Sequence, residues 1–139
     1  MGQLVNFKRQ HREIRELVNK IKSSLLIDLL QTEPASVRYI LSTLSGKLLM
    51  HLAMEDQFLY PSLMEKNDPI LRATAQKFLT EMGDLVDVFK NYSQKWLRPS
   101  LIQADPRAFI EDSNQIFHAL LQRIDQEDQE LYPLSEEAK

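Results

Sequence analysis

The chain contains no cysteine among its 139 residues. Disulfide bonds, thiolate metal sites and thiol catalysis are therefore excluded, and the redox compartment stays open. No stretch alternates polar and apolar residues with a period of two, so we expect no strands. No apolar run approaches the ~20 residues that a membrane-spanning helix needs. Residues 1–15 are polar and charged, so we expect no signal peptide, no membrane partner and a cytoplasmic location.

Strong charge of one sign is also missing, since the formal net charge is -3. Nucleic-acid-binding proteins usually carry a basic patch, so we expect no nucleic-acid partner. The length suits one domain, which we place at residues 1–139. Hydrophobic residues make up 43% of the chain and charged residues 27%, which is typical of a globular domain.

Six prolines divide the sequence into helical segments. Three of them follow an acidic residue and predict helix starts, because proline fits a first helical turn: these are Pro34, Pro69 and Pro106. The other three predict helix ends or bends: these are Pro61, Pro99 and Pro133. Between them, apolar residues recur at helical spacing over residues 3–31, 35–60 with an extension to about 66, 69–97 and 106–132. Four such segments predict an all-α, up-down-up-down four-helix bundle.

One motif occurs twice, with a substitution in the second copy. The first copy, HLAMEDQFLYP, runs from His51 to Pro61, and the second, RIDQEDQELYP, runs from Arg123 to Pro133. His51 and Glu55 are four residues apart, a spacing that lets both hold one metal ion on the same side of a helix. In the second copy arginine replaces the histidine.

The helical wheel places Glu55 almost on the centre of the apolar stripe of its helix, with His51 roughly 40° to one side. A carboxylate directed into a core is costly unless it is paired or bound to a metal. The pattern therefore indicates a metal site. A buried His–Glu hydrogen bond, or a salt bridge from Glu55 to Arg123, is the alternative.

The other segments offer further ligands. His11 lies at the edge of the apolar face of the first helix, and beside His51 and Glu55 it becomes a candidate ligand. Glu127 occupies the slot in the second copy that Glu55 has in the first. Asp128 lies on the other side of that stripe, and Glu81 lies beside the stripe of the third helix, so both are weaker candidates.

For three further residues, the residue type or its position on the helix indicates a role other than metal ligation. His118 points roughly 130° away from the apolar stripe, so we expect it at the surface. Met82 lies in the middle of its stripe and fits core packing, because a thioether is a poor ligand for iron. Arg123 lies near the edge of its face and can form a bidentate pair with Glu127 or Glu55.

These residues resemble those of a hemerythrin-like domain of the bacterial HHE cation-binding type, over nearly the whole chain. The resemblance implies a four-helix bundle with a non-haem di-iron centre, bridged by carboxylates of the second and fourth helices. It implies ligand roles for His11, His51, Glu55 and Glu127. It also implies binding or sensing of oxygen, iron or nitric oxide, or repair of iron centres.

The chain departs from the family pattern at two positions. The resemblance leads one to expect histidines where Met82 and Arg123 stand, and both would serve mainly one of the two irons. The metal position near His11 and His51 keeps more of its ligands. A second ion would need carboxylates such as Glu81 or Asp128, or water, and Arg123 would repel it.

Two functions follow as hypotheses. The first is a protein that binds iron, as one or two ions, with zinc or manganese as other options, and dioxygen or nitric oxide as ligands. The second is a metal-free regulatory or interaction module. An enzyme is least favoured, since no second catalytic group stands out, and Tyr60 and Tyr132 are read as packing residues. A homodimer is a further expectation, with candidate apolar surface at Met54, Phe58, Phe89, Tyr92 and Trp96.

Overall fold

The computed structural model describes residues 2–137, and within that range the chain is helical and contains no strand. The α-helices are α1 (Gly2–Ser23), α2 (Ile27–Thr32), α3 (Pro34–Met54), α4 (Tyr60–Met64), α5 (Pro69–Met82), α6 (Leu85–Lys95), α7 (Pro99–Ala104), α8 (Pro106–Gln126) and α9 (Tyr132–Glu137). Two π-helical segments, π1 (Glu55–Leu59) and π2 (Glu127–Leu131), join α3 to α4 and α8 to α9. The predicted all-α class is confirmed.

These elements form four rods: α1, then α3–π1–α4, then α5 with α6, and finally α8–π2–α9. The first rod packs against α3 and α8, and α6 packs against the same two helices from the other side. Below α6, α5 contacts α4 and π2. This arrangement is a four-helix bundle, as the amphipathic segments predicted.

The third rod differs from the single helix expected over residues 69–97. It is broken at Gly83 and Asp84, between α5 and α6. A Cβ atom at Gly83 would lie too close to the carbonyl oxygen of Leu79, so the tight end of α5 requires glycine there. The first segment also ends early, at Ser23, and the short α2 follows as a separate helix.

Pro61 and Pro133 do not end their helices, although helix ends or bends were expected there. In each copy of the repeat the chain instead passes through a π-helical segment just before the proline. The amides of Tyr60 and Tyr132 donate to the carbonyls of Glu55 and Glu127, five residues back. Such segments shift the helical register and are frequent at functional sites.

The core consists of two apolar clusters. The upper cluster lies among α1, α3, α6 and α8, and includes Ile14, Leu48 and Ile124. The lower cluster lies among the N-terminal part of α1, π1, α4, α5 and π2–α9, and includes Phe7 and Leu131. Along α1 and along both copies of the repeat, a polar layer separates the two clusters.

Most of the residues suggested as apolar surface for a dimer are not exposed. Phe89, Tyr92 and Trp96 are buried in the upper cluster, because α6 turns that face toward α3 and α8. Met54 is partly buried against the lower cluster, and Phe58 alone of the five is exposed. Within the described residues, no helix is both long and apolar enough to cross a membrane.

Candidate metal centre

The polar layer brings together two histidines and two glutamates from three of the rods. They are His11 on α1, His51 on α3, Glu55 at the start of π1 and Glu127 at the start of π2. All four are buried, and one nitrogen or oxygen atom of each lies within 4.8 Å of those of the other three. Two ligands of one ion are about 4 Å apart at most, so these side chains are close to a spacing that one ion can bridge.

The two histidines point the same kind of atom at each other. His11 Nε2 lies 3.0 Å from His51 Nε2. Each ring uses its other nitrogen elsewhere: His11 Nδ1 lies 2.8 Å from Asp128 Oδ1, and His51 Nδ1 lies 2.6 Å from Gln10 Oε1. Both partners are acceptors, so both Nδ1 atoms carry hydrogen, and each ring in its neutral form presents an Nε2 lone pair to the centre. Histidine ligands of metal ions are typically oriented in this way.

The carboxylates complete the same centre. Glu55 Oε1 lies 3.2 Å from His51 Nε2, and Glu127 Oε1 lies 3.1 Å from His11 Nε2. Despite that distance, Glu127 Oε1 accepts no well-aligned hydrogen bond. A buried carboxylate oxygen without a donor is costly, so the centre is a place where a cation is favoured.

The pKa values indicate that one of the two histidines, but not both, carries a positive charge. Burial alone would lower the pKa of His11, but Asp128 and Glu127 outweigh it and raise this pKa to about 9. Burial, with the charge on His11, lowers the pKa of His51 to about 3. Burial, with the charge on Glu55, raises the pKa of Glu127. Without a metal, His11 therefore carries a proton while His51 stays neutral.

Two tyrosines hold the far oxygens of the carboxylates. Tyr132 Oη donates to Glu55 Oε2 at 2.6 Å, and Tyr60 Oη donates to Glu127 Oε2 at 2.8 Å. Burial raises the pKa of each phenol, so both remain protonated donors. The tyrosine of each repeat thus binds the glutamate of the other repeat and fixes its orientation.

Arg123 contacts both glutamates of the centre. It is 2% exposed. Its guanidinium donates to Glu127 Oε2 and to Glu55 Oε1, each at 3.3 Å, and to Asp56 Oδ1 at 3.1 Å. Its remaining nitrogen donates to the carbonyl of Met82 at 3.3 Å. Arg123 therefore pairs with both glutamates, through one nitrogen each, and not as the predicted bidentate pair with one of them.

The comparisons with known proteins agree with this architecture. The family model described as the hemerythrin HHE cation binding domain matches residues 4–135. The chain belongs to the hemerythrin family. Comparisons with curated proteins and with solved structures gave no match. The domain and its buried His/Glu cluster together fit the binding of a cation.

The four residues of the cluster could hold a metal ion, but the residues beside them do not suit a second one. Arg123 places a fixed cation against both glutamates, and two unit charges ~4 Å apart repel by about 4 kcal/mol at an effective dielectric near 20. The partly buried Met82 packs against the lower cluster, and its thioether is a poor iron ligand.

The weaker candidate ligands lie outside the group of four. Asp128 contacts Nδ1 of His11 and is itself bound by Arg15 Nη2 at 2.7 Å. It therefore orients the ring of a candidate ligand and lies outside the group of four. Glu81 is exposed. His118 is also exposed, as its position on the wheel predicted.

Sequence reasoning missed several residues that support the site. Gln10 resembles any polar residue on a helix, and its contact with His51 depends on how α1 crosses α3. Tyr60 and Tyr132 are buried, as packing residues would be, yet they also donate to the glutamates. Their place five residues after each glutamate was a usable signal, because it repeats in both copies of the motif.

Proposed function

We propose that this hemerythrin domain binds one iron ion through His11, His51, Glu55 and Glu127. The observation that supports this most directly is the facing pair of histidine Nε2 atoms beside Glu127 Oε1, which accepts no well-aligned hydrogen bond. Two imidazoles with carboxylate oxygens are a donor set that suits iron, and manganese or zinc as well. Iron is the choice that agrees with the family resemblance.

In this function the protein orients the side chains that would bind the ion and supplies their negative charge. Asp128 and Gln10 set the tautomers of the two histidines, so both Nε2 atoms are available as ligands. Tyr60 and Tyr132 hold the Oε2 atoms of the glutamates. The Oε1 atoms face the histidines, although Glu55 Oε1 also accepts from Arg123. Iron bound by these four residues would supply a site for dioxygen or nitric oxide. We therefore propose a role in binding or sensing these molecules, in iron sensing or storage, or in stress protection. We propose that the protein acts in the cytoplasm.

The test is metal content and its effect on stability. Protein purified without chelators should contain about one iron per chain, and a stripped sample should regain it. The thermal midpoint should rise on adding iron(II) anaerobically, because a ligand that binds only the folded state stabilises that state. His51→Ala should abolish both effects, while His118→Ala, at an exposed histidine, should leave them intact. If the thermal midpoint of the stripped, folded protein were unchanged by iron, manganese and zinc, this function would be excluded.

A metal-free module is the second candidate, and the ion pairs of Arg123 with Glu55 and Glu127 favour it. In that case a buried arginine alone would satisfy the carboxylates, and the bundle would act as an interaction or regulatory domain. It predicts no bound metal and no effect of chelators on the thermal midpoint.

A further inference from the structure

Each of the two buried glutamates contacts both a histidine and Arg123. Glu55 Oε1 lies 3.2 Å from His51 Nε2 on one side and 3.3 Å from Arg123 Nη2 on the other. Glu127 directs Oε1 toward His11 and Oε2 toward Arg123 Nε, at 3.1 and 3.3 Å. The Oε1 atoms of both carboxylates therefore face the histidines, and a fixed cation contacts Glu55 Oε1 and Glu127 Oε2.

The guanidinium of Arg123 has contacts beyond the two glutamates. Besides the glutamates it contacts Asp56 and the Met82 carbonyl at the end of α5, where the helix dipole also favours a positive charge. It lies over the ring of Tyr60, 5.6 Å from the centroid. The carboxylates outweigh desolvation by burial and raise the pKa of Arg123. A side chain held this way cannot swing outward to admit an ion without losing all these contacts.

The repeat shows what the arginine replaces. In the first copy a histidine stands four residues before the glutamate, and in the second copy Arg123 stands four residues before Glu127. His51 contacts Glu55 alone of the two glutamates at 3.2 Å, whereas Arg123 contacts both. The arginine also contacts the backbone of Met82, whose side chain supplies no hard donor. A second ion would therefore meet a cation where it needs ligands.

We infer that Arg123 is a built-in cation that takes the place of a second metal ion and restricts this centre to one. This inference rests on the proposed function. One divalent ion with Arg123 would balance the charges of Glu55, Glu127 and Asp56, whereas two divalent ions with Arg123 would leave excess positive charge in a buried site. Arg123 is thus a positioning and specificity-determining residue.

The experiment measures the number of ions per chain in the folded full-length protein. Stripped samples are loaded with manganese(II), counted by elemental analysis and native mass spectrometry, and examined by electron paramagnetic resonance. The wild type should bind one ion with the six-line signal of an isolated centre. Met82→His should still bind one, because the arginine remains. Met82→His with Arg123→His should bind two, and the isolated signal should give way to that of a coupled pair.

The outcomes separate this inference from the proposed function. Two ions in the wild type or in Met82→His would overturn the inference while leaving metal binding intact. One ion in the double variant would overturn it too. No ion in the folded wild type would overturn the proposed function, and the inference with it. If circular dichroism shows that the double variant is unfolded, Met82→His with Arg123→Gln provides the same contrast, because it also removes the cation.

Discussion

The hydroxyl of Tyr132 donates a 2.6 Å hydrogen bond to Oε2 of Glu55, so the second copy of the repeat holds the carboxylate of the first. The reciprocal bond runs from Tyr60 to Glu127 at 2.8 Å. The π-helical turns shift the register in each copy and place a tyrosine and a glutamate of each rod in the same layer. The doubled motif is therefore one cross-braced unit made of two parts of the chain.

Removing either tyrosine hydroxyl should weaken this unit. Tyr132→Phe leaves Glu55 Oε2 without its donor, and the loss of a hydrogen bond to a charged group should lower the free energy of unfolding by about 1.5–3 kcal/mol. Urea denaturation of metal-stripped protein measures this change. Tyr39→Phe is the matched control, because Tyr39 is exposed, and its effect should stay within about 0.5 kcal/mol. Equal effects of the two variants would contradict the bracing role of Tyr132.

Gln10 should control metal affinity without being a ligand. Its Oε1 fixes the tautomer of His51 through the 2.6 Å contact with Nδ1, and loss of such a partner typically costs 10–100-fold in affinity. Gln10→Met should weaken binding of zinc(II) by about that factor in a chelator competition assay. Gln115→Met, at an exposed position of α8, should leave the affinity unchanged. An unchanged affinity in Gln10→Met would show that another contact orients His51.

The candidate ligands that could be predicted from sequence are those whose chemistry conflicts with their position. Glu55 lies on the apolar stripe of its helix, and a carboxylate there needs a partner. His11 lies at the edge of its stripe, so only the presence of His51 and Glu55 made it a candidate. Gln10 gave no such conflict, because a polar residue at a partly exposed helical position needs no explanation.

The fold could be predicted as far as helical periodicity reaches. The four rods follow from apolar spacing, but the π-helical segments do not, since their bonds span five residues and leave the periodic pattern almost intact. Pro61 and Pro133 indicated helix ends or bends, and the helices continue past both prolines. The break at Gly83 was missed because apolar spacing continues on both sides of it, from Phe78 to Leu85.

Metal affinity should rise with pH. The pKa of His11 is raised to about 9, so at lower pH an ion must displace a proton from this ring, and each unit of pH should change the apparent affinity by up to about tenfold. The affinity should level off above pH 9. Chelator competition between pH 6.5 and 9 measures the slope. Asp128→Asn removes a carboxylate that favours the protonated ring, so it should flatten the slope, and an unaltered slope would assign the proton to another group.

Arg123 should be essential to the stability of the metal-free protein. Arg123→Met removes the cation from Glu55 and Glu127 and leaves two buried carboxylates facing each other, and breaking a buried ion pair in this way costs about 3–5 kcal/mol. Urea denaturation of stripped protein at pH 7 measures the loss. Arg9→Met, which removes an exposed pair with Glu13, should cost no more than about 0.5 kcal/mol. A loss below about 1 kcal/mol in Arg123→Met would contradict the stabilising role of these buried ion pairs.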